Sequence, residues 1–290
     1  MPYRSVFRED LFSGRNIVVT GGGSGIGRCT AHELASLGAH VMLVGRKPER
    51  LASVVAEITQ DGGQASAFVC DIREETRVHA VVAEMVAARG RIDALVNNAG
   101  GQFPSPLALI NQKGFETVVR TNLVGGFLFA RECFTQCMRD HGGSIVNIVA
   151  DFWNGMPGMG HSGAARAGMV NLTQTAALEW APAGVRVNAV APGWVASSGL
   201  DTYEGPVRAM IPKLRDAVPL KRLATEAEIS AAIVFLLTDA AAFITGETMR
   251  VDGGAPLAGG VWPTPEHDRS RPFEGFHRAT TPKILQAKNL

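Results

Sequence analysis

The sequence predicts an α/β protein in which parallel strands alternate with helices. Three observations carry that reading. Short apolar runs alternate with helical patterns at βαβ spacing. The runs are almost continuously apolar, as strands are when helices cover both faces of their sheet. The first run ends in a glycine-rich turn that opens a helix.

The elements follow in order. Asn16–Thr20 is the first predicted strand, and a helical pattern runs from the turn through Leu37. Gly38 closes it, because glycine takes the left-handed backbone that ends helices at little cost. Val41–Val44 is the second strand, and Lys47-Pro48 turns the chain into a helix through Gln60. Ala65–Cys70 is the third strand, ended by Asp71, and a helix covers 74–88. Asp93–Asn97 and Ser144–Val149 are the fourth and fifth strands. A helix over Ser162–Trp180 precedes the sixth, Val185–Val190. No linker or repeat divides residues 1–290, so one domain is expected, with its core over 14–254 and an irregular tail over 255–290.

Composition narrows the function. With 46% hydrophobic residues in 290, the chain can bury a large core. Lys+Arg number 28 against 27 Asp+Glu, so neither a nucleic-acid nor an acidic-membrane partner is expected. Cys133 and Cys137 lack neighbouring His ligands, so no metal site is expected, and the four thiols suit a reducing compartment. Residues 1–15 do not read as a signal peptide, and no run of about 18 apolar residues exists to span a membrane. The C-terminal Ala287-Lys-Asn-Leu290 is not a Ser-Lys-Leu address, and a cytoplasmic protein is expected. Asn171-Leu-Thr173 matches a glycosylation sequon within a helical pattern and is read as chance.

Gly21-x-x-x-Gly25-x-Gly27 sits between strand and helix, where backbone N–H groups reach a pyrophosphate and the helix N-terminus favours negative charge. After the second strand, an acidic residue would hold the ribose 2′-OH of NAD. Arg46 and Lys47 stand there instead, with Ser24 in the loop, which suits the 2′-phosphate of NADP(H).

Thr20–Gly27, Asp71, Asn97-Asn98-Ala99-Gly100, Asn122 and Pro192-Gly193, in this order, resemble the short-chain dehydrogenase/reductase family over about residues 14–254. The resemblance implies a Rossmann-type, doubly wound, three-layer fold with a seven-stranded parallel sheet, Gly246–Arg250 being the last strand. It implies that Gly21, Ser24, Gly25, Ile26 and Gly27 hold the cofactor phosphates and that Asp71 and Ile72 flank the adenine. By it, Asn98, Ala99 and Gly100 line the cofactor ribose, and Pro192 and Gly193 border the nicotinamide. Asn122 kinks the central helix and holds an active-site water, 194–220 is the substrate loop, and a homotetramer forms through the helices at 114–140 and 162–180.

The chain departs from the family where chemistry is expected. The positions of the family's Ser, Tyr and Lys hold Val149, Ser162 and Arg166. The chain's two tyrosines, Tyr3 and Tyr203, precede that helix at no matching position. Asn97–Pro106 resembles the corresponding loop of 2,4-dienoyl-CoA reductases, and His161–Gly168 resembles that of peroxisomal trans-2-enoyl-CoA reductase. The resemblance to the dienoyl reductases maps their active-site Asn and Ser onto Gln102 and Ser162, and their Tyr onto Asp151. Arg166 takes the place of the Lys that holds the nicotinamide ribose.

Ser162 and Arg166, four residues apart, share one helix face. A hydroxyl near a permanent cation suits receiving negative charge better than donating a proton. Hydride added to Cβ of an enoyl thioester moves charge onto the thioester oxygen, which preorganised donors stabilise. Gln102 and Ser162 are the expected donors, with Arg166 supplying field and Asp151 or water the proton. The expectation is NADPH-dependent reduction of the C=C bond of an α,β-unsaturated acyl-CoA. An alcohol or aldehyde dehydrogenase on fatty or terpenoid substrates and a catalytically silent NADP(H)-binding protein are the alternatives. His161 either titrates near neutrality or faces solvent at the helix start. Trp153, Met156, Met159 and Trp194 either wall an acyl chain or belong to the core.

Overall fold

The structure, a computed structural model, describes residues 2–258 and 264–286. Its strands are β1 (Asn16–Thr20), β2 (His40–Gly45), β3 (Gln64–Val69), β4 (Ala94–Asn97), β5 (Gly143–Ile148), β6 (Val185–Pro192) and β7 (Thr248–Val251). They form one seven-stranded sheet in the order β3-β2-β1-β4-β5-β6-β7, every pair parallel. The last strand lies one to two residues beyond its expected range.

The helices are α1 (Gly25–Ser36), α2 (Pro48–Gln60), α3 (Glu75–Arg89), α4 (Gln112–Val119), α5 (Gly125–Cys133), α6 (Arg139–His141), α7 (Gly160–Trp180), α8 (Gly205–Met210) and α9 (Glu226–Leu237). Period-two alternation feeds two cores from the central strands. Ile17, Val19, Val41 and Leu43 pack on one side with Leu34, Val54 and Ile233 of α1, α2 and α9. Val18, Met42 and Leu95 pack on the other with Val81, Met85 and Phe129 of α3 and α5. Burial on both faces explains the continuous apolar runs.

The order reverses between β1 and its neighbours β2 and β4, opening a crevice at their carboxyl ends where ligands of such sheets bind. A π-helical turn over Arg120–Val124 separates α4 from α5 and contains Asn122. Such turns widen a helix by one residue and re-aim its side chains.

The described residues of the tail are tied to the rest of the chain. Phe276 is buried with Tyr3 and Cys29 against α1. The Arg278 guanidinium and His277 reach the Asp61 carboxylate at 2.8 Å each. Phe273 N–H donates to Glu228 of α9 at 3.1 Å. Ala287–Leu290 lie outside the described residues. Among the described residues, no helix is long and apolar enough to cross a membrane, no group of His, Cys, Asp or Glu is placed to hold a metal, and all four cysteines are free and buried.

Candidate active site

Thr20, at the end of β1, ties the two loops of the crevice together. Its Oγ1 accepts the backbone N–H groups of Asn98 and Ala99 at 3.0 Å each. The Asn98 amide donates to the Thr20 and Gly21 carbonyls at 3.0 and 3.3 Å. Gly25 turns the chain into α1 with φ of +56°, a conformation that disfavours any side chain. Ser24 is the N-cap of α1, yet its hydroxyl makes no cap bond and stays available to a phosphate.

The resulting cleft, about 260 Å³, is lined by Gly21, Ser24, Ile26, Arg46, Asp71, Ile72, Asn98, Ala99 and Gly100. Arg73, Thr121 and Ser197 line it too, and sequence reasoning missed all three. Gly25 and Gly27 lie in the first turn of α1, and Lys47 is the exposed N-cap of α2. Pro192 ends β6, and Gly193 packs on Asp252. A larger cavity of about 510 Å³ opens between the N-terminal segment and α1 and α2, away from the crevice. Its His32 and Asp61 are already spent on Glu57, His277 and Arg278.

Arg73 grips Asp71 in a fork, Nε to Oδ1 at 2.9 Å and Nη2 to Oδ2 at 2.5 Å. That hydrogen bonding holds the Asp71 carboxyl below the usual range, with Arg46 adding to it. The rim is therefore cationic in balance. The Asp-x-Arg spacing was the available signal.

Glu226 opens α9 with Oε1 3.9 Å from the Cβ position of Gly25. Burial raises its pKa to about 7 against the opposing field of Arg28. It is neutral below that value and anionic above it, beside the helix end suited to phosphate. Cofactor affinity is therefore expected to weaken as pH rises through about 7. Fluorescence titration of NADPH across that range checks this. Glu226→Gln should bind as tightly as the protonated protein and lose this component of the pH slope, and an unchanged slope would contradict it.

At the other end of the cleft, Val149 is buried just past β5, and α7 presents Ser162 and Arg166 one turn apart. Ser162 is fully buried, and its hydroxyl donates to Gln102 Oε1 at 2.7 Å. Gln102 Nε2 donates in turn to the Tyr203 hydroxyl at 3.1 Å. The two donors expected to aim at an oxyanion are thus spent on protein acceptors here. In sequence, Tyr203 matches no position of the family's phenol. The loop over 194–220 brings it to Gln102 from 101 residues away.

Arg166 Nη1 donates to the Ile148 carbonyl at 2.6 Å, and its Nε is buried without a partner. Nη2 lies 2.6 Å from the position a Cβ would take at Gly100, so a side chain there would push the guanidinium aside. No carboxylate pairs with Arg166 among the described residues. Burial draws its pKa down to about 10, which leaves a cation at neutral pH. The guanidinium sits behind cleft-lining Gly100 and lends positive field to a ligand in the cleft.

Asn122 exchanges two bonds with Gly101, Nδ2 to the carbonyl at 2.9 Å and Oδ1 from the N–H at 2.8 Å. It braces the loop that carries Gln102. Asp151 makes no hydrogen bond to Ser162, Gln102 or Arg166, and its Oδ1 is buried without a partner. Burial, then the charge of Asp252, raises its pKa, with the Trp153 N–H and Arg250 opposing. His161 also departs from the solvent-facing option. It is fully buried, its ring lies edge-on to Phe103 at 4.4 Å, and its Nδ1 accepts the Ser162 N–H at 2.8 Å. Trp153 and Trp194 are 37% and 42% exposed, which removes them from the core. Trp153 stacks on Phe152 and beneath the Arg250 guanidinium.

The cleft thus runs from a cationic rim beside β2, past the N-terminus of α1, to an unpaired guanidinium beside β5, across the reversal of strand order. A dinucleotide lies across such a crevice, and the class so defined is that of Rossmann-type NAD(P)-dependent oxidoreductases. Comparison with known proteins agrees, and the chain belongs to the short-chain dehydrogenase/reductase family. A family model described as Enoyl-(Acyl carrier protein) reductase matches residues 21–256. A probable 2,4-dienoyl-CoA reductase, (2E)-enoyl-CoA-producing, of Bacillus subtilis is 36% identical over 82% of this chain and 95% of its own length. A peroxisomal 2,4-dienoyl-CoA reductase, (3E)-enoyl-CoA-producing, of Danio rerio is 34% identical over 88% of this chain and 86% of its own. Among solved structures, a citronellol catabolism dehydrogenase (AtuB) of Pseudomonas aeruginosa is 64% identical, with TM-score 0.80, covering 87% of this chain and 99% of that one.

Proposed function

We propose that the protein is an NADPH-dependent reductase of the C=C bond of an α,β-unsaturated acyl-CoA. The observation that carries this is the hydrogen bond from buried Ser162 to Gln102, one turn from the unpaired Arg166 cation. Bound NADPH supplies the hydride to Cβ. The chain's task is then to hold the charge that moves onto the thioester oxygen. Ser162 O–H does this once the substrate oxygen displaces its bond to Gln102 Oε1, the Gln102 N–H not engaged by Tyr203 joins it, and Arg166 adds positive field. One such donor contributes about 2.7–4 kcal/mol. Arg46 and Arg73 favour the 2′-phosphate, and Ser24 adds an unspent donor. The relatives named as dienoyl-CoA reductases support the same chemistry. Exposed Phe103, Leu107, Trp153 and Trp194 offer an apolar mouth for an acyl chain. Exposed Phe115, Phe127 and Leu178, on α4, α5 and α7, suit assembly into a homotetramer.

A second reading, oxidoreduction of a terpenoid alcohol or aldehyde, is favoured by the 64% identity to the citronellol catabolism dehydrogenase. Loss of NADPH absorbance separates the two. Turnover of straight or β-methyl-branched 2-enoyl-CoAs is the expected result. Reduction of citronellal without any turnover of the thioesters selects the second reading.

A further inference from the structure

We infer that Tyr203 is the proton-transferring residue of this site, supplying from the substrate loop the phenol that α7 lacks. The inference rests on the site reading above, and the count of hydrogens carries it. Ser162 has one O–H, and it is spent on Gln102 Oε1 at 2.7 Å. One Gln102 N–H is spent on the Tyr203 oxygen at 3.1 Å. The Tyr203 O–H itself has no acceptor among the described residues, so it is the unspent acidic hydrogen of the chain of three. The amide that donates to its oxygen also steadies the phenolate left behind.

The loop around Tyr203 is built to hold it there. The Asp201 carboxylate accepts the backbone N–H groups of Lys283 and Ile284 at 3.0 and 3.1 Å. Tyr203 packs on the cluster of Leu200, Ile211 and Ile284. Ser197, six residues earlier in the same loop, lines the cofactor cleft. The C-terminal segment therefore clamps the loop that spans cofactor and phenol.

In enoyl reduction, hydride forms the C–H bond at Cβ, and the π pair moves to give the enolate. The enolate pair then takes the Tyr203 proton at Cα, and the phenolate recovers a proton from solvent. For an aldehyde, the same O–H protonates the carbonyl oxygen. Asp151 is not needed in either case.

Tyr203→Phe keeps the ring in its apolar cluster and removes only the hydroxyl. With the substrate that the wild-type protein turns over, kcat should fall about 100-fold, the lower end of what a positioned acid contributes. KM should stay within about threefold, and NADPH affinity by fluorescence titration and the melting temperature should not change. For the enoyl thioester run in deuterated water, the wild-type protein should place solvent deuterium on one face of Cα, and the variant should lose that preference. A variant kcat within about threefold of wild type overturns the role of Tyr203 and leaves the reductase reading standing. A wild-type protein that turns over neither enoyl-CoA nor citronellal overturns both.

Discussion

Arg166→Met should cut kcat/KM by about 10²- to 10³-fold, the cost of one electrostatic stabiliser of a developing oxyanion, while leaving the cofactor-free protein as stable or more so. The two effects have one cause. The guanidinium is held beside Gly100 with its Nε unpartnered, and no carboxylate offsets its charge. Desolvating an unpaired cation is costly, and replacing it with an apolar chain of similar length relieves that cost. The loss of its bond to the Ile148 carbonyl offsets part of the gain. A net gain of about 1 kcal/mol corresponds to a rise of roughly 2–4 °C in a chain of this size. Arg166→Lys should keep the charge and much of the activity. Differential scanning calorimetry with steady-state kinetics checks both halves. A fall of several degrees in Arg166→Met would make this residue a structural strut.

The second large effect is on stability, far from the cleft. Glu33→Ala should cost about 3–5 kcal/mol, because each buried hydroxyl left without its acceptor costs about 1–3 kcal/mol. Glu33 is fully buried in α1. It accepts the hydroxyls of Tyr3 at 3.1 Å, Ser5 at 2.7 Å and Ser230 at 2.5 Å. These join the N-terminal segment, α1 and α9. Truncation leaves three donors unsatisfied and opens a void, so the melting temperature should fall by roughly 10 °C. Burial raises the Glu33 pKa. The folded protein therefore holds this proton more tightly than the unfolded chain does. The corresponding stability is present below the unfolded carboxyl range and is lost as pH rises through the raised value. Glu33→Gln should remove that slope and cost less than the alanine. Thermal melts across a pH series check both, and an alanine variant that melts with the wild type would refute the network's role.

What could be read from the sequence was local. The apolar runs, the glycine turn and Arg46 sit within a few residues of the structure they specify, and the fold followed from them with strand ends displaced by a residue or two. The Ser162–Arg166 pairing was likewise a matter of helical spacing. What could not be read depended on distant packing. Tyr203 meets Gln102 only because Asp201 and Ile284 fix the substrate loop. The Asp151 carboxyl is raised because burial and the charge of Asp252, arriving at the end of β7, act on it. His161 is buried because the loop bearing Phe103 folds over it. The tail's anchors, Phe273, Phe276 and Arg278, were hidden in a stretch whose composition reads as irregular.

In the proposed reaction, hydride goes to carbon in a C=C bond, and Ser162, Gln102 and Arg166 hold the resulting enolate. Turnover with NADPH deuterated at the transferred position tests this most directly, with the label located in the product by NMR. Deuterium on Cβ of a saturated acyl-CoA is the predicted result. Deuterium on the carbinol carbon of an alcohol, with the double bond of the thioester left intact, would contradict it.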